Sequence, residues 1–188
     1  MLHITLDSLP ILDQALEQAT LTKGYYTWVK FAADEMKKLG SQYSHVDHIY
    51  GSVDTNVFSP ISENEKSELR KRFNISQTTT IFNFVFRNQL RKSANLILDA
   101  FSQFKQDNPQ ADVKLHFHTS VAERGNGWDF PKMIKYYGIK NEDVLFTYVC
   151  KHCGQWAISP YLGEDIDCPF CGTKKSLVTP TITNGVHD

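Results

Sequence analysis

Apolar positions along this chain repeat with two periods, and each change of period marks a new element. The opening MLHITLDSLPI is apolar enough for a short strand ending near Pro10. Across YYTWVKFAADEMKKLG, the residues Tyr26, Val29, Phe31, Ala32, Ala33, Met36 and Leu39 recur at spacings near three and four, and Gly40 then supplies a stop. That pattern predicts an amphipathic helix. VDHIYGS predicts a short strand running into a turn. The stretch after it, VDTNVFSPISENEKSELRKRF, predicts an extended linker, a hinge at Pro60 and the polar SENE cluster, and a charged helix that Ser62 caps.

From Thr78 the periods alternate regularly. TTTIFNFVF is β-branched and aromatic, SANLILDAFSQFKQ has Ile97, Phe101 and Phe104 on one face with Ser93 as N-cap, and ADVKLHFH returns to a strand. A further helix around DFPKMIKYYG and a strand DVLFTYV complete the order β-α-β-α-β. Crossover helices between apolar strands imply a parallel sheet buried on both sides, here one half of a doubly wound α/β fold.

Composition adds bounds. A chain of 188 residues, 41% hydrophobic and 22% charged, suits one modest core plus an appended element. No apolar run approaches the roughly 20 residues of a membrane helix, and the first residues lack a basic segment followed by an apolar core. The expected setting is soluble, reducing and cytoplasmic. A net charge of -1 gives no global attraction to nucleic acid, so any anion binding has to be local.

The four cysteines form two C-x-x-C pairs, Cys150-Lys-His-Cys153 and Cys168-Pro-Phe-Cys171, with none left over. Glycine follows each pair, at Gly154 and Gly172, where a tight knuckle turn needs a residue tolerant of positive φ. Four soft thiolates at this spacing predict one tetrahedral structural zinc held by Cys150, Cys153, Cys168 and Cys171. Two disulfides or a redox pair are the alternatives; a redox pair has no need of a second pair downstream. His152, inside the first knuckle, is read as solvent-facing.

The second candidate chemistry lies between the strand from Thr78 and its helix, in Arg87-Asn88-Gln89-Leu90-Arg91-Lys92. Ligands of parallel α/β sheets bind at the carboxyl ends of the strands, where this loop opens. Cations just before a helix start are disfavoured by about 0.3–1 kcal/mol each, so stability does not account for Arg87, Arg91 and Lys92, whereas a bound phosphate would. A solvated basic turn is the bland alternative. His116 and His118 alternate onto one strand face. Ordinary packing is the reading preferred over a second metal, with His118 and Thr119 placed to look into the crevice and touch a nucleotide. Trp128 and Asp129, in the polar ERGNGWDFP, read as loop anchors. Walker, G-x-S-x-G and H-E-x-x-H motifs do not occur.

Val53-Asp54-Thr55-Asn56-Val57-Phe58-Ser59-Pro60, then a charged helix, a strand and R-x-x-x-x-K from Arg87 to Lys92, together resemble the retaining glycosyltransferases of the GT-B fold, the group 1 type. The resemblance covers roughly Tyr50 to Val149. It implies that residues 1–52 are the tail of an acceptor-side domain and the interdomain crossing, and that 53–149 are the first half of a Rossmann-like donor domain. Residues 150–172 are then a zinc ribbon and 173–188 a return segment. Arg87 and Lys92 would grip the diphosphate of a sugar nucleotide. A ribbon after the third donor-domain strand is not a general family feature, although some phage-type relatives look similar. Two departures stand out: Gly51-Ser52-Val53-Asp54 has one residue more than the family turn, and the family's acidic E-x-x-x-x-x-x-x-E motif is missing.

The expected function is therefore sugar-nucleotide binding by a glycosyltransferase-like chain that is incomplete as a catalyst. The acceptor, whether glycan, lipid or protein, is open, and self-association or completion by a second chain is expected at the open sheet edge. The alternatives are a zinc-ribbon module for protein partners and a non-catalytic remnant. Nucleic acid is disfavoured, because between Cys150 and Cys171 Lys151 stands alone against Glu164, Asp165 and Asp167.

Overall fold

The computed structural model describes residues 2–4, 9–122, 127–164, 166–180, 182–183 and 186–187. It divides into two compact units, Met1–Pro60 and Ile61–Asp188. Among the described residues no helix is long and apolar enough to cross a membrane.

The first unit is a small parallel sheet in the order β1 (Leu2–Ile4), β2 (Tyr25–Thr27), β3 (Asp47–His48). Helices α1 (Asp13–Leu21) and α2 (Lys30–Lys38) make the crossovers. The single helix expected over YYTWVKFAADEMKKLG is in fact a strand followed by a shorter helix. Tyr25 and Thr27 both point inward at 0% exposure, which is strand periodicity, and Ala32, Ala33 and Met36 carry the helical burial. The Tyr25 hydroxyl donates to the Ala15 carbonyl at 3.0 Å, so the strand is tied to α1, an element the hydrophobic pattern did not announce. Only Ala19 of α1 is buried, and so small a residue leaves little amphipathic signal. The first strand is described only over Leu2–Ile4; its expected continuation through residues 5–8 lies outside the described residues.

The second unit opens with α3 (Glu63–Arg72), capped as expected by Ser62. Its hydroxyl accepts from the Glu65 N–H, and its own N–H donates to the Glu65 carboxylate at 2.9 Å, a reciprocal capping box. The sheet then runs β4 (Thr80–Val85), β5 (Val113–His118), β6 (Val144–Cys150), β7 (Trp156–Ser159). β4, β5 and β6 are parallel, with α4 (Ala94–Asp107) and α5 (Phe130–Tyr136) as crossovers, while β7 is antiparallel. This is the expected α/β fold with a mainly parallel sheet. The short β8 (Leu177–Val178) also pairs with β6, so Val149 bonds to Trp156 on one edge and Val178 on the other. Farther on, β9 (Ile182–Thr183) and β10 (Val186–His187) form an antiparallel pair.

Burial on both faces holds for β6, where only Val149 is less than buried, but not for β4. β4 is the outer strand, and no described strand pairs with its far side. Phe82 and Val85 are accordingly 45% and 61% exposed. The core lies between the sheet and the two crossover helices. Phe117, Phe130 and Phe146 are wholly buried there, with the Phe117 and Phe130 rings 4.9 Å apart. Each such side chain contributes about 1.5–3 kcal/mol by burial. Cys150, Cys168 and Leu177 belong to the same cluster, so the core runs into the cysteine region without a break.

β5 alternates strictly, sending Val113, Leu115 and Phe117 into the core and Lys114, His116 and His118 to the opposite face. The Thr147 hydroxyl bridges both rings, 2.9 Å from His116 Nε2 and 3.1 Å from His118 Nδ1. Burial, with a smaller contribution from His118, pushes the His116 imidazole down to about 4. The unfolded chain therefore binds a proton that the folded chain refuses between pH 6.5 and 4. His116 stabilises the fold fully above about 6.5, and that contribution, at most about 3 kcal/mol, is lost as pH falls towards 4. His116→Gln, which keeps a hydrogen-bonding group but does not titrate, is expected to flatten the pH dependence of urea-unfolding stability across that window. An unchanged slope would show that His116 does not carry it.

Candidate metal centre and cationic loop

Two knuckles of the same design converge on one point. In the first, the Cys150 N–H donates to the Gln155 carbonyl at 2.8 Å and the Gly154 N–H to the Cys150 carbonyl at 2.9 Å. In the second, Cys168 bonds to the Thr173 carbonyl and Gly172 to the Cys168 carbonyl, at 3.0 and 2.9 Å. Gly154 and Gly172 sit at φ +70° and +71°, a conformation in which a Cβ is strained, so both glycines are required by the turn. The N–H groups of His152 and Cys153 point at Cys150 Sγ, and that of Phe170 at Cys168 Sγ, each at 3.4 Å. Such donors favour thiolate over thiol.

The four sulfurs lie within 4.8 Å of one another, and Cys150 to Cys171 and Cys153 to Cys168 are each 3.8 Å apart. No disulfide joins them. Zinc–sulfur bonds of about 2.3 Å in a tetrahedron give sulfur–sulfur edges of about 3.8 Å, so the spacing fits a metal such as zinc. Cys150 and Cys168 are buried, Cys171 is exposed, and His152, also exposed, is not one of the clustered ligands.

The rest of the fold holds these turns in place. Cys150 is the last residue of β6, and its partner Leu177 in β8 also donates its N–H to the Ile166 carbonyl, at 3.1 Å, just before the second knuckle. Ser176 braces the first knuckle, its hydroxyl 3.3 Å from Cys150 Sγ and its carbonyl accepting from the Lys151 N–H. The end of α3 leans on β7: Phe73 and Trp156 stack with centroids 4.6 Å apart, and the Arg72 guanidinium lies over both rings.

The cationic loop leaves the carboxyl end of β4. Leu90–Lys92 form one turn of 3-10 helix, and α4 begins at Ala94. Ser93 stands at the N-cap position as expected, but it caps nothing. Its backbone is left-handed, φ 51° and ψ 39°, and its side chain makes no cap bond. Serine rarely adopts that conformation. Arg91 and Lys92 are exposed and Arg87 is partly buried, and none of the three has an ion-pair partner among the described residues. Arg87 Nε is buried without a hydrogen-bond partner, as are Thr119 Oγ1 and Trp128 Nε1. His118 Nδ1 lies 3.1 Å from the Thr147 hydroxyl.

Asn88 is the residue that sequence reasoning passed over. At 0% exposure its amide donates to the carbonyls of Ser120 and Trp128, at 3.0 and 2.8 Å, and accepts from the Trp128 N–H at 2.8 Å. It thereby clamps the exit of β4 to the segments on either side of the loop after β5. Nothing in the sequence signals this, because asparagine among cations reads as a solvated turn. Asp129, expected to be a loop anchor, caps α5 through the Lys132 N–H. Residues 123–126 of the same loop lie outside the described residues.

Stripping the metal is expected to lower the melting temperature of the purified chain, since a knuckle pair this small has little core of its own to replace it. Cys168→Ser should melt at the lower temperature with or without added Zn(II). Identical melting of parent, chelated and Cys168→Ser protein would contradict a metal role for the cluster. No protein-family model matches the chain and no curated protein does, so what the site does has to follow from its chemistry.

Proposed function

We propose that this chain is the donor-binding part of a sugar-nucleotide-dependent glycosyltransferase of the retaining GT-B type, carrying a structural zinc in its four-cysteine cluster. The observation that supports this most is Arg87. A partly buried guanidinium with an orphaned Nε and no ion-pair partner among the described residues is costly, because a buried charge is normally paired. An oxyanion would supply the missing acceptor. Lys92 and Arg91 stand five and four residues on, and the free N–H groups at the start of α4 follow directly. The loop's place at the carboxyl end of a parallel strand suits a nucleotide.

In this reading Arg87 and Lys92 stabilise the charge that develops on the departing diphosphate, an electrostatic role that needs no protein nucleophile. Four thiolates fill the zinc's coordination, so the metal shapes the ribbon and takes no substrate. Transfer of the sugar would need the acidic motif that the sequence lacks, so the chain by itself binds a donor without turning it over. The V-D-T-x-x-F-x-P stretch and its order before R-x-x-x-x-K agree with the same family.

Replacing Arg87 and Lys92 together by alanine is expected to weaken nucleoside diphosphate binding, read by calorimetry, by roughly tenfold or more, with the unfolding curve unchanged. Equal binding by the parent and the double variant would reject this site.

A further inference from the structure

A cleft of about 590 Å³ lies between the start of α5 and the segment that joins β7 to the second knuckle. That volume falls among those that hold small ligands, about 300–1,000 Å³. Tyr148 of β6, Thr179, Asp129, Lys132, Tyr161 and Glu164 are among the residues that line it. The cleft opens at the carboxyl end of the sheet. Asp129 directly follows Trp128, which Asn88 ties to the exit of β4 and hence to the cationic loop.

The polar groups in the cleft differ in kind from those of that loop. Tyr148 is 1% exposed, and its hydroxyl accepts from the Leu162 N–H at 2.9 Å, leaving its proton free to donate into the cleft. Tyr161, Glu164 and Asp129 line the same cleft, and burial, then the charges of Glu164 and Asp129, hold the Tyr161 phenol above its usual range. Lys132 is paired with Asp129 at 2.7 Å. The lining thus offers two carboxylates, two phenols and one neutralised ammonium.

A phosphate would be repelled here, and nothing is left to neutralise a ligand carboxylate. A neutral ring bearing several hydroxyls satisfies every group: its O–H groups donate to Asp129 and Glu164, its oxygens accept from Tyr148 and Lys132, and its C–H face lies on the tyrosine rings. We propose that this cleft binds the hydroxyl-bearing ring of a sugar. Taking the ring from a sugar nucleotide rests on the glycosyltransferase reading; a free saccharide needs no such reading. The metal has a part in either case. Tyr161 and Glu164 lie on the segment that ends at Cys168, and Thr179 directly follows β8, which pairs with Cys150, so both surfaces are anchored at metal-binding cysteines.

The test is an NMR titration of the zinc-loaded full chain with three probes: inorganic pyrophosphate, a panel of free mono- and disaccharides, and a panel of uridine and guanosine diphosphate hexoses. At least one hydroxyl-bearing probe is expected to shift the amide signals of Tyr161 and Glu164. Glu164→Gln and Tyr161→Phe, both accessible side chains, should weaken that binding about tenfold and leave pyrophosphate binding at the Arg87 loop unchanged. Shifts from sugar nucleotides alone identify the ring as the donor's, and shifts from free saccharides identify a separate acceptor. If pyrophosphate fails to bind while a saccharide still shifts the cleft signals, the diphosphate reading falls and this one stands. If no sugar-bearing probe shifts the cleft, or the two variants bind as tightly as the parent, the sugar cleft is overturned whatever pyrophosphate does.

Discussion

Four sulfurs drawn to within 4.8 Å of one another impose the constraint on which the second unit depends. Four thiolates cannot share so small a volume without a cation between them. The thiols show the conflict: the Thr173 hydroxyl and backbone N–H bring Cys171 down to about 5, and the Cys153 N–H with the Ser176 hydroxyl brings Cys150 down to about 7. Cys153, although the Gln155 N–H favours its thiolate, is pushed up to about 12 by burial and its sulfur neighbours. A divalent metal resolves this by displacing the protons. Everything that fixes the end of β6 bears on the cluster: the paired edges at Val149, the Ser176 brace, and the stack of Phe73 on Trp156.

Much of this was legible from local chemistry. The C-x-x-C-G repeat needs only its own turn geometry, so spacing alone was enough to anticipate the four-cysteine cluster. The β-α-β order from Thr78 was equally plain from the alternation of β5, although α4 buries Ala94, Leu98, Phe101 and Ser102, so that of the face expected from Ile97, Phe101 and Phe104 only Phe101 is buried. What could not be read depends on neighbours distant in sequence. Tyr25–Thr27 resembles the start of a helix until β1 and β3 flank it. The apolar run of β4 reads as a buried strand, yet its place at the sheet's edge leaves Phe82 and Val85 exposed. Ser93 has the residue type of a cap but the backbone of a strained turn. Asn88 acquires its role only when Ser120 and Trp128 fold back to meet it.

Charge is partitioned across the carboxyl end of the sheet. The exit of β4 gathers cations that have no ion-pair partner among the described residues, and the cleft on the ribbon side is lined by carboxylates and phenols. A ligand with an anionic part and a hydroxyl-rich part meets complementary chemistry on both, and Asn88 fixes the spacing between them. The ribbon then has a reason to stand where it does, since the segment carrying Tyr161 and Glu164 ends at Cys168. The fold supplies a mainly parallel sheet that would suit many ligands; under the proposed function, selectivity would rest on the side chains of the two sites.

The central claim is that the four cysteines hold a single metal in a closed sulfur shell. X-ray absorption at the zinc edge, on protein purified without added metal, tests it most directly. The account predicts one zinc per chain with four sulfur scatterers at about 2.3 Å and no nitrogen or oxygen in the first shell. Nitrogen or oxygen in that shell would contradict a closed four-thiolate site, and protein free of metal with its cysteines paired as disulfides would contradict the site altogether.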